Sequence, residues 1–478
     1  MDMLHKISST IIAATLSIAA TAVELPDVIG HNMVLQQCAD AHLWGWSTPD
    51  AQVDIVTSWN NRNYRVKANA DGRWEVAVAT PKASFSEHEI RFHDKNSTVT
   101  AKHVLVGEVW LCSGQSNMEM PLNGFWTQPI ADSNREIAFS GKYRGKIRMA
   151  TVSKTGALKP ADRVSGEWKE CEPENAAWFS AVGYHFAKAL TEMLCVPVGI
   201  INCSWGGSHV EGWLPKNILK DYADINLADA GNKDIREWDQ PMIMYNGMLN
   251  PLVGYTVKGF LWNQGESNVG QHSTYANRLA TMVKTWRQRW QQDSLPFYMV
   301  EIPPYSYGDV KGTKAAMLRE AQHKAASIIP NSGIISTCDL VKPHETEDIH
   351  ASTKQPIGER LAFMAAVKTY GIGGIACDSP TYKSMNVDGN TAILHFNNAP
   401  DGFTPNRDLQ GFECAGNDRV FHPAAAEEIY DTRDIRITCP AVDKIVAVRY
   451  CFHNWEIGSV HNLRWLPLVP FRTDDWDN

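Results

Sequence analysis

From Glu24 to Val106, apolar and polar residues alternate in short runs separated by turn residues. Val53-Asp54-Ile55-Val56 repeats with a period of two, and so does Tyr64-Arg65-Val66-Lys67. The second run leads through Asp71-Gly72 into Trp74-Glu75-Val76-Ala77-Val78. A period of two sends successive side chains to opposite faces of a strand, and Asp-Gly between two such runs predicts a hairpin. With a further strand over Glu87 to His93, residues 23–106 are expected to form an all-β sandwich.

The pattern changes at Val106. Val106 to Cys112 reads as a buried strand and stops at Ser113-Gly114. Phe179 to Met193 sets Val182, Phe186, Ala189 and Leu190 on one helical face and runs into the apolar stretch Val196 to Ile201. Val257 to Trp262 is a similar stretch, followed by a helix marked by Tyr275, Leu279, Met282, Val283, Trp286 and Trp290. Phe297 to Ile302 and Gly333 to Thr337 complete the series, each preceded by a helical stretch. Strands that are apolar throughout and alternate with helices predict a parallel sheet covered on both faces, an α/β domain over 107–370. The tail, 371–478, returns to short strands at Thr391 to Phe396, Asp434 to Thr438 and Ile445 to Tyr450, either a second sandwich or the completion of the first.

The N-terminus adds a destination. Lys6 precedes an apolar run from Ile11 to Ala19, and Ala20-Thr21-Ala22 supplies small residues, the pattern of a secretory signal peptide over 1–22 cleaved after Ala22. That run is too short to span a bilayer, and no cysteine follows it to carry a lipid. The expected product is exported without membrane insertion, to a periplasm or to the exterior.

A chain of 478 residues is too long for one hydrophobic core. Its net charge of −8, without a basic cluster, argues against a nucleic-acid or anionic-membrane partner. Ten cysteines without a C-x-x-C pair argue against a zinc or redox motif, and Cys112 and Cys203 fall in apolar runs where free buried thiols are expected. The 17 tryptophans suit a carbohydrate site or simply β-rich cores.

In open parallel sheets, ligands bind beyond the carboxyl ends of the strands. Four such ends offer Ser113-Gly114-Gln115-Ser116-Asn117, Ser204-Trp205-Gly206-Gly207-Ser208, Asn263-Gln264-Gly265-Glu266-Ser267-Asn268, and Asp339 followed by Glu347-Asp348-Ile349-His350. A serine, a glycine pair, an amide cluster and a carboxylate beside a histidine are the parts of acyl transfer. Each alone has a plainer reading as turn, cap or loop brace. Glu266 and Asp348 could instead be a glycosidase pair, which would leave the glycines and amides without a role. A metal hydrolase would need His344 and His350, whose spacing fits no ligand pattern.

Gly114-Gln115-Ser116-Asn117-Met118, Trp205-Gly206-Gly207-Ser208, Trp262 through Asn268, and Asp348-Ile349-His350, in this order, resemble the sialate O-acetylesterase family of the SGNH/GDSL hydrolase superfamily. The likeness extends to Ser180 through Phe186, Val448-Arg449-Tyr450 and Pro470 through Thr473, and so covers nearly the whole mature chain. It implies an SGNH-type parallel sheet flanked by helices, with sandwich-like regions on both sides. It also implies a cofactor-free hydrolysis of O-acetylated sugars by Ser116 as nucleophile and His350 as base. The oxyanion would be held by the N–H groups of Ser116 and Gly207 and one amide. Asn263 and Gln264 should point to opposite faces. The family's constant Gln-Gly-Glu favours Gln264, with Asn263 open. For the acid, relatives favour Asp348, the superfamily's spacing favours Glu347, and Asp339 at a strand end is the third candidate. Glu266 is expected to brace its loop near Ser116. The alternatives to a sialate substrate are acetylated plant polysaccharide of the xylan type, or a carbohydrate-binding protein on an inactive scaffold.

Overall fold

One strand organises the molecule. In the computed structural model, which describes residues 22–476, Thr98–Gly114 runs for 17 residues. Its first half pairs with Ser84–His93 and, in parallel, with Val34–Gln36, while its second half pairs in parallel with Val198–Ser204 and Gly259–Asn263. This trunk strand therefore belongs to the N-terminal sandwich and to the α/β sheet at once, and crosses the expected boundary at 106/107 without a break. The N-terminal signal pattern lies almost wholly in residues 1–21, outside the described residues.

The α/β sheet has the order Ser332–Ile335, Phe297–Val300, Gly259–Asn263, trunk, Val198–Ser204, Ile147–Thr151, Trp168–Glu170. All neighbours are parallel except the last pair. The period of two is visible in its packing. Leu261 joins Trp110, Cys112, Phe186 and Leu361 under helices Ala181–Leu194 and Gln355–Lys368. Trp262 joins Trp213, Trp286 and Phe297 under His272–Arg289 and Lys314–Ile328. Trp213, Trp262 and Trp286 meet edge-on with centroids 5.7–6.5 Å apart, contacts worth about 0.5–1.5 kcal/mol each beyond area burial. These indoles are core.

Two expectations need correction. Asp71-Gly72 does turn the chain, with Asn69 Oδ1 accepting the N–H groups of Asp71 and Arg73, but it joins no hairpin. Asn63–Lys67 pairs with Gln52–Thr57, and Arg73–Ala79 pairs with Asp40–Trp46 in the other sheet. The turn hands the chain from one layer to the next, which local turn chemistry does not distinguish from a hairpin. Strand Ile147–Thr151 was not foreseen, because Arg148 interrupts its apolar run. That arginine is buried and paired with Glu87 and Glu170.

The C-terminal region is a sandwich of its own. One sheet has the order Thr381–Asp388, Thr391–Asn397, Asp434–Thr438, Ala425–Ile429, and a second is built from Phe421–Pro423, Phe412–Ala415, Ala447–Tyr450 and Phe471–Arg472. They enclose Leu394, Ile435, Ile437, Val448 and Tyr450. Asn454 locks this region to the α/β domain by accepting the Ala315 N–H and donating to Ser306 O and Asp309 O. All ten cysteines are free thiols, and burial pushes Cys112 and Cys203 upward. Among the described residues no helix is long and apolar enough to cross a membrane.

Candidate active site

The trunk strand ends at Gly114 with φ +132°, where a Cβ would stand 2.1 Å from Asn263 O. Only glycine permits that approach of two strands. The Gln115 N–H donates to Asn263 O (3.0 Å), and its side-chain oxygen accepts the N–H groups of Gly265 (3.1 Å) and Ser267 (3.3 Å). Ser116 then opens a short helix, Ser116–Glu119, half-buried and with no partner for its hydroxyl among the described residues, while Asn117 and Met118 are buried.

The next strand end packs against it. Trp205 N–H donates to Gly114 O (3.0 Å) and Gly206 N–H to Glu119 Oε2 (2.6 Å). A Cβ on Gly206 would lie 3.2 Å from the Ser116 Cβ; one on Gly207, at φ +80°, would lie 2.4 Å from Trp238 Cδ1. The N–H groups of Ser116 and Gly207 have no acceptor among the described residues. Two unpaired donors thus flank one hydroxyl.

The two neighbouring amides differ in their partners. Gln264 is fully buried and saturated: it donates to Ser208 O (3.0 Å) and Asn268 Oδ1 (2.7 Å) and accepts from Tyr275 Oη (2.9 Å). It is a brace of its loop, with no hydrogen left to offer. Asn263 is equally buried, yet neither its Oδ1 nor its Nδ2 has a partner among the described residues. A buried unpaired amide is costly, and its persistence marks a place where a partner is missing.

His350 Nδ1 contacts Gln128 Oε1 at 2.5 Å, and the ring meets Phe125 edge-on at 5.1 Å. An amide oxygen only accepts, so Nδ1 carries the proton and Nε2 is left bare. Burial, helped by the Lys354 charge, pushes the imidazole down to about 4, so it is neutral across the physiological range. None of the three expected acids hydrogen-bonds to this ring. The Asp348 carboxylate makes no hydrogen bond or ion pair, its backbone N–H donating to Glu345 O (2.9 Å). Glu347 is exposed. Asp339 is taken by Arg360 (2.6 and 2.8 Å) and His461 (3.1 Å); burial would raise its carboxyl, but these hydrogen bonds and the Arg360 charge bring it below the usual range. Gln128 holds the position instead, and its loop gave no sign of this in sequence.

Asn117 ties the serine turn to the histidine loop. Its Nδ2 donates to Glu266 Oε1 (2.5 Å) and Ile349 O (3.1 Å), and its Oδ1 accepts from Lys354 Nζ (2.5 Å). The neighbours of Ser116 and His350 are therefore bonded to each other, although no hydrogen bond joins Ser116 to His350 directly. Burial pushes Glu266 up and Lys354 down to about 8. Glu266 serves as the loop brace expected of it. Lys354 was not anticipated; it lies in the first residues after the histidine loop, where only the fold turns it inward.

The family profile "Carbohydrate esterase, sialic acid-specific acetylesterase" matches residues 106–366, more than half of the chain. The chain belongs to that family. As a member it is a carboxylic ester hydrolase. It is 26% identical to human sialate O-acetylesterase across 93% of this chain and 91% of that one, and 25% identical to the mouse enzyme across 96% of each. A crystal structure of a carbohydrate acetylesterase from Xanthomonas citri superposes with a TM-score of 0.84 at 33% identity, covering 95% of this chain and all of that one. The likeness thus takes in both β regions of this family member as well as the α/β domain.

Proposed function

We propose that the protein removes O-acetyl groups from sugars, sialic acid foremost, through an acetyl-Ser116 intermediate. The observation that carries this reading is the pair of unpaired N–H groups at Ser116 and Gly207 beside an unpaired serine hydroxyl. The Ser116 hydroxyl attacks the acetyl carbonyl as its proton passes to the bare Nε2 of His350, which then returns it to the departing sugar oxygen. The two N–H groups receive the oxyanion, and Asn263, rather than Gln264, supplies the third donor because its amide alone is free. Water repeats the sequence to release acetate. Gln128 fixes the tautomer of His350, a role that a carboxylate would otherwise fill.

The names of the animal relatives favour sialate esters. The second reading, acetylated polysaccharide, draws on the exposed Trp126, which lies in sequence between Phe125 and Gln128, both of which contact His350. The N-terminal apolar run supports export to a periplasm or the exterior, which N-terminal sequencing of the mature protein checks directly. Acetate release by wild type and Ser116→Ala, from an aryl acetate, O-acetylated sialic acid and acetylated xylan, tests the chemistry. Activity lost in the variant supports the acyl-serine, and a variant as active as wild type would overturn it. The preferred natural ester decides between the two substrates.

A further inference from the structure

We propose that the cleft beside Trp178 is a second sugar subsite, which holds a ring further along an O-acetylated glycan from the acetylated one. This rests on the esterase reading above. The cleft encloses about 400 Å³ and is lined by Thr151, Ser153, Ser165, Phe179 and Trp178 among others. Thr151 ends a strand two places from the trunk in the same sheet. In the register of the sheet Thr151 stands level with Cys112, two strand spacings of about 4.8 Å away and four residues short of Ser116, so the cleft lies roughly 15 Å from the Ser116 turn, towards the edge where parallel sheets take their ligands.

The wall of the cleft is tied to the catalytic turn. Lys154, next to Ser153, pairs with Glu119 at 2.7 Å, and Glu119 accepts the Gly206 N–H at 2.6 Å. Trp178 is 72% exposed, so its indole is not part of the core. Yet its backbone is held on both sides, since Asn123 N–H donates to Ala177 O (2.9 Å) and Leu122 N–H to Phe179 O (3.1 Å). The same 121–123 segment leads into the loop that carries Trp126, 91% exposed, and Gln128. Isolated surface indoles are ordinary. This one stands on a fixed backbone beside the exposed hydroxyls of Thr151, Ser153 and Ser165, none of which has a partner among the described residues.

A sugar ring offers an apolar C–H face and a rim of hydroxyls. The cleft answers both, an aromatic plate for the face and unpaired hydroxyls for the rim. A short acyl ester such as an aryl acetate has nothing to place there.

The test compares kcat/KM for three kinds of ester: p-nitrophenyl acetate, a free acetylated monosaccharide, and an acetylated trisaccharide, the last two in sialyl and xylan forms. Trp178→Ala is expected to lower the trisaccharide-to-aryl ratio about tenfold, the scale of one lost aromatic contact, with Trp178→Phe keeping most of it. An unchanged ratio in Trp178→Ala overturns the subsite, as does a ratio that falls equally for the monosaccharide. A wild type inert on every ester, p-nitrophenyl acetate included, overturns the esterase chemistry beneath it, and the subsite with it. Active wild type with an unchanged ratio removes the subsite alone.

Discussion

Lys354 Nζ and Glu266 Oε1 each lie 2.5 Å from the amide of Asn117, on its opposite ends. A buried ammonium and a buried carboxylate are thus joined through one neutral side chain directly after Ser116. Removing either charge strands the other. Lys354→Met and Glu266→Gln are each expected to cost about 3–5 kcal/mol, and the double variant much less than their sum. Urea unfolding of the four proteins measures this, and strict additivity would show that the two charges do not sense each other.

The acid limb of kcat/KM reports the free enzyme's base. With His350 pushed down to about 4, activity on an aryl acetate should hold well below pH 6 before it falls. Gln128→Glu puts a carboxylate against Nδ1 and should move that limb upward, because a negative neighbour favours the imidazolium. A limb near the ordinary histidine value in the wild type would contradict the burial described here.

The same depression bears on stability. His350 and His185, both brought to about 4 chiefly by burial, bind protons more readily unfolded than folded. Their contribution is intact above about pH 6.5 and is lost as pH falls through 4, by up to roughly 1.4 kcal/mol per pH unit for each histidine. Chemical denaturation at pH 7, 5.5 and 4 should show the decline.

Asn263→Ala and Gln264→Ala separate the two amides by readout. The first should cost about 10²–10³ in kcat, the loss of one oxyanion donor, with little change in melting temperature. The second should lower the melting temperature, because it leaves buried groups of Ser208, Asn268 and Tyr275 without partners. Reversed phenotypes would return Gln264 to the site.

Gly207→Ala meets two obstacles, the Trp238 ring and a backbone at φ +80°. Trp238→Ala in the same chain removes the first and leaves the second, about 1–2 kcal/mol of strain. Activity should be lost in the single variant and recover only in part in the double.

Reading the ends of the apolar strands directs attention to Ser116, Gly207 and His350, because in a parallel sheet those ends share one edge. The α/β domain, its helices and the flanking β regions followed from periodicity for the same reason: burial on two faces leaves a continuous apolar run. What escaped depended on long-range contacts. Gln128 reaches His350 across 222 residues from a loop without periodicity. Arg148 hid a strand by being a buried charge. Asn263 and Gln264 could be assigned to opposite faces, but only the fold shows that Ser208, Asn268 and Tyr275 wait on the side of Gln264.

The trunk strand has a mechanical meaning. The strand bulges at His103, but from Leu105 to Gly114 its ladder is unbroken, so its pairing with Val34–Gln36 and its pairing with Val198–Ser204 share a single register. A slip of one residue in the pairing of Val34 with Leu105 would advance Ser116 by about 3.3 Å and turn every following side chain to the wrong face. The sandwich thus acts as a ruler: packing far from the Ser116 turn sets where that serine stands.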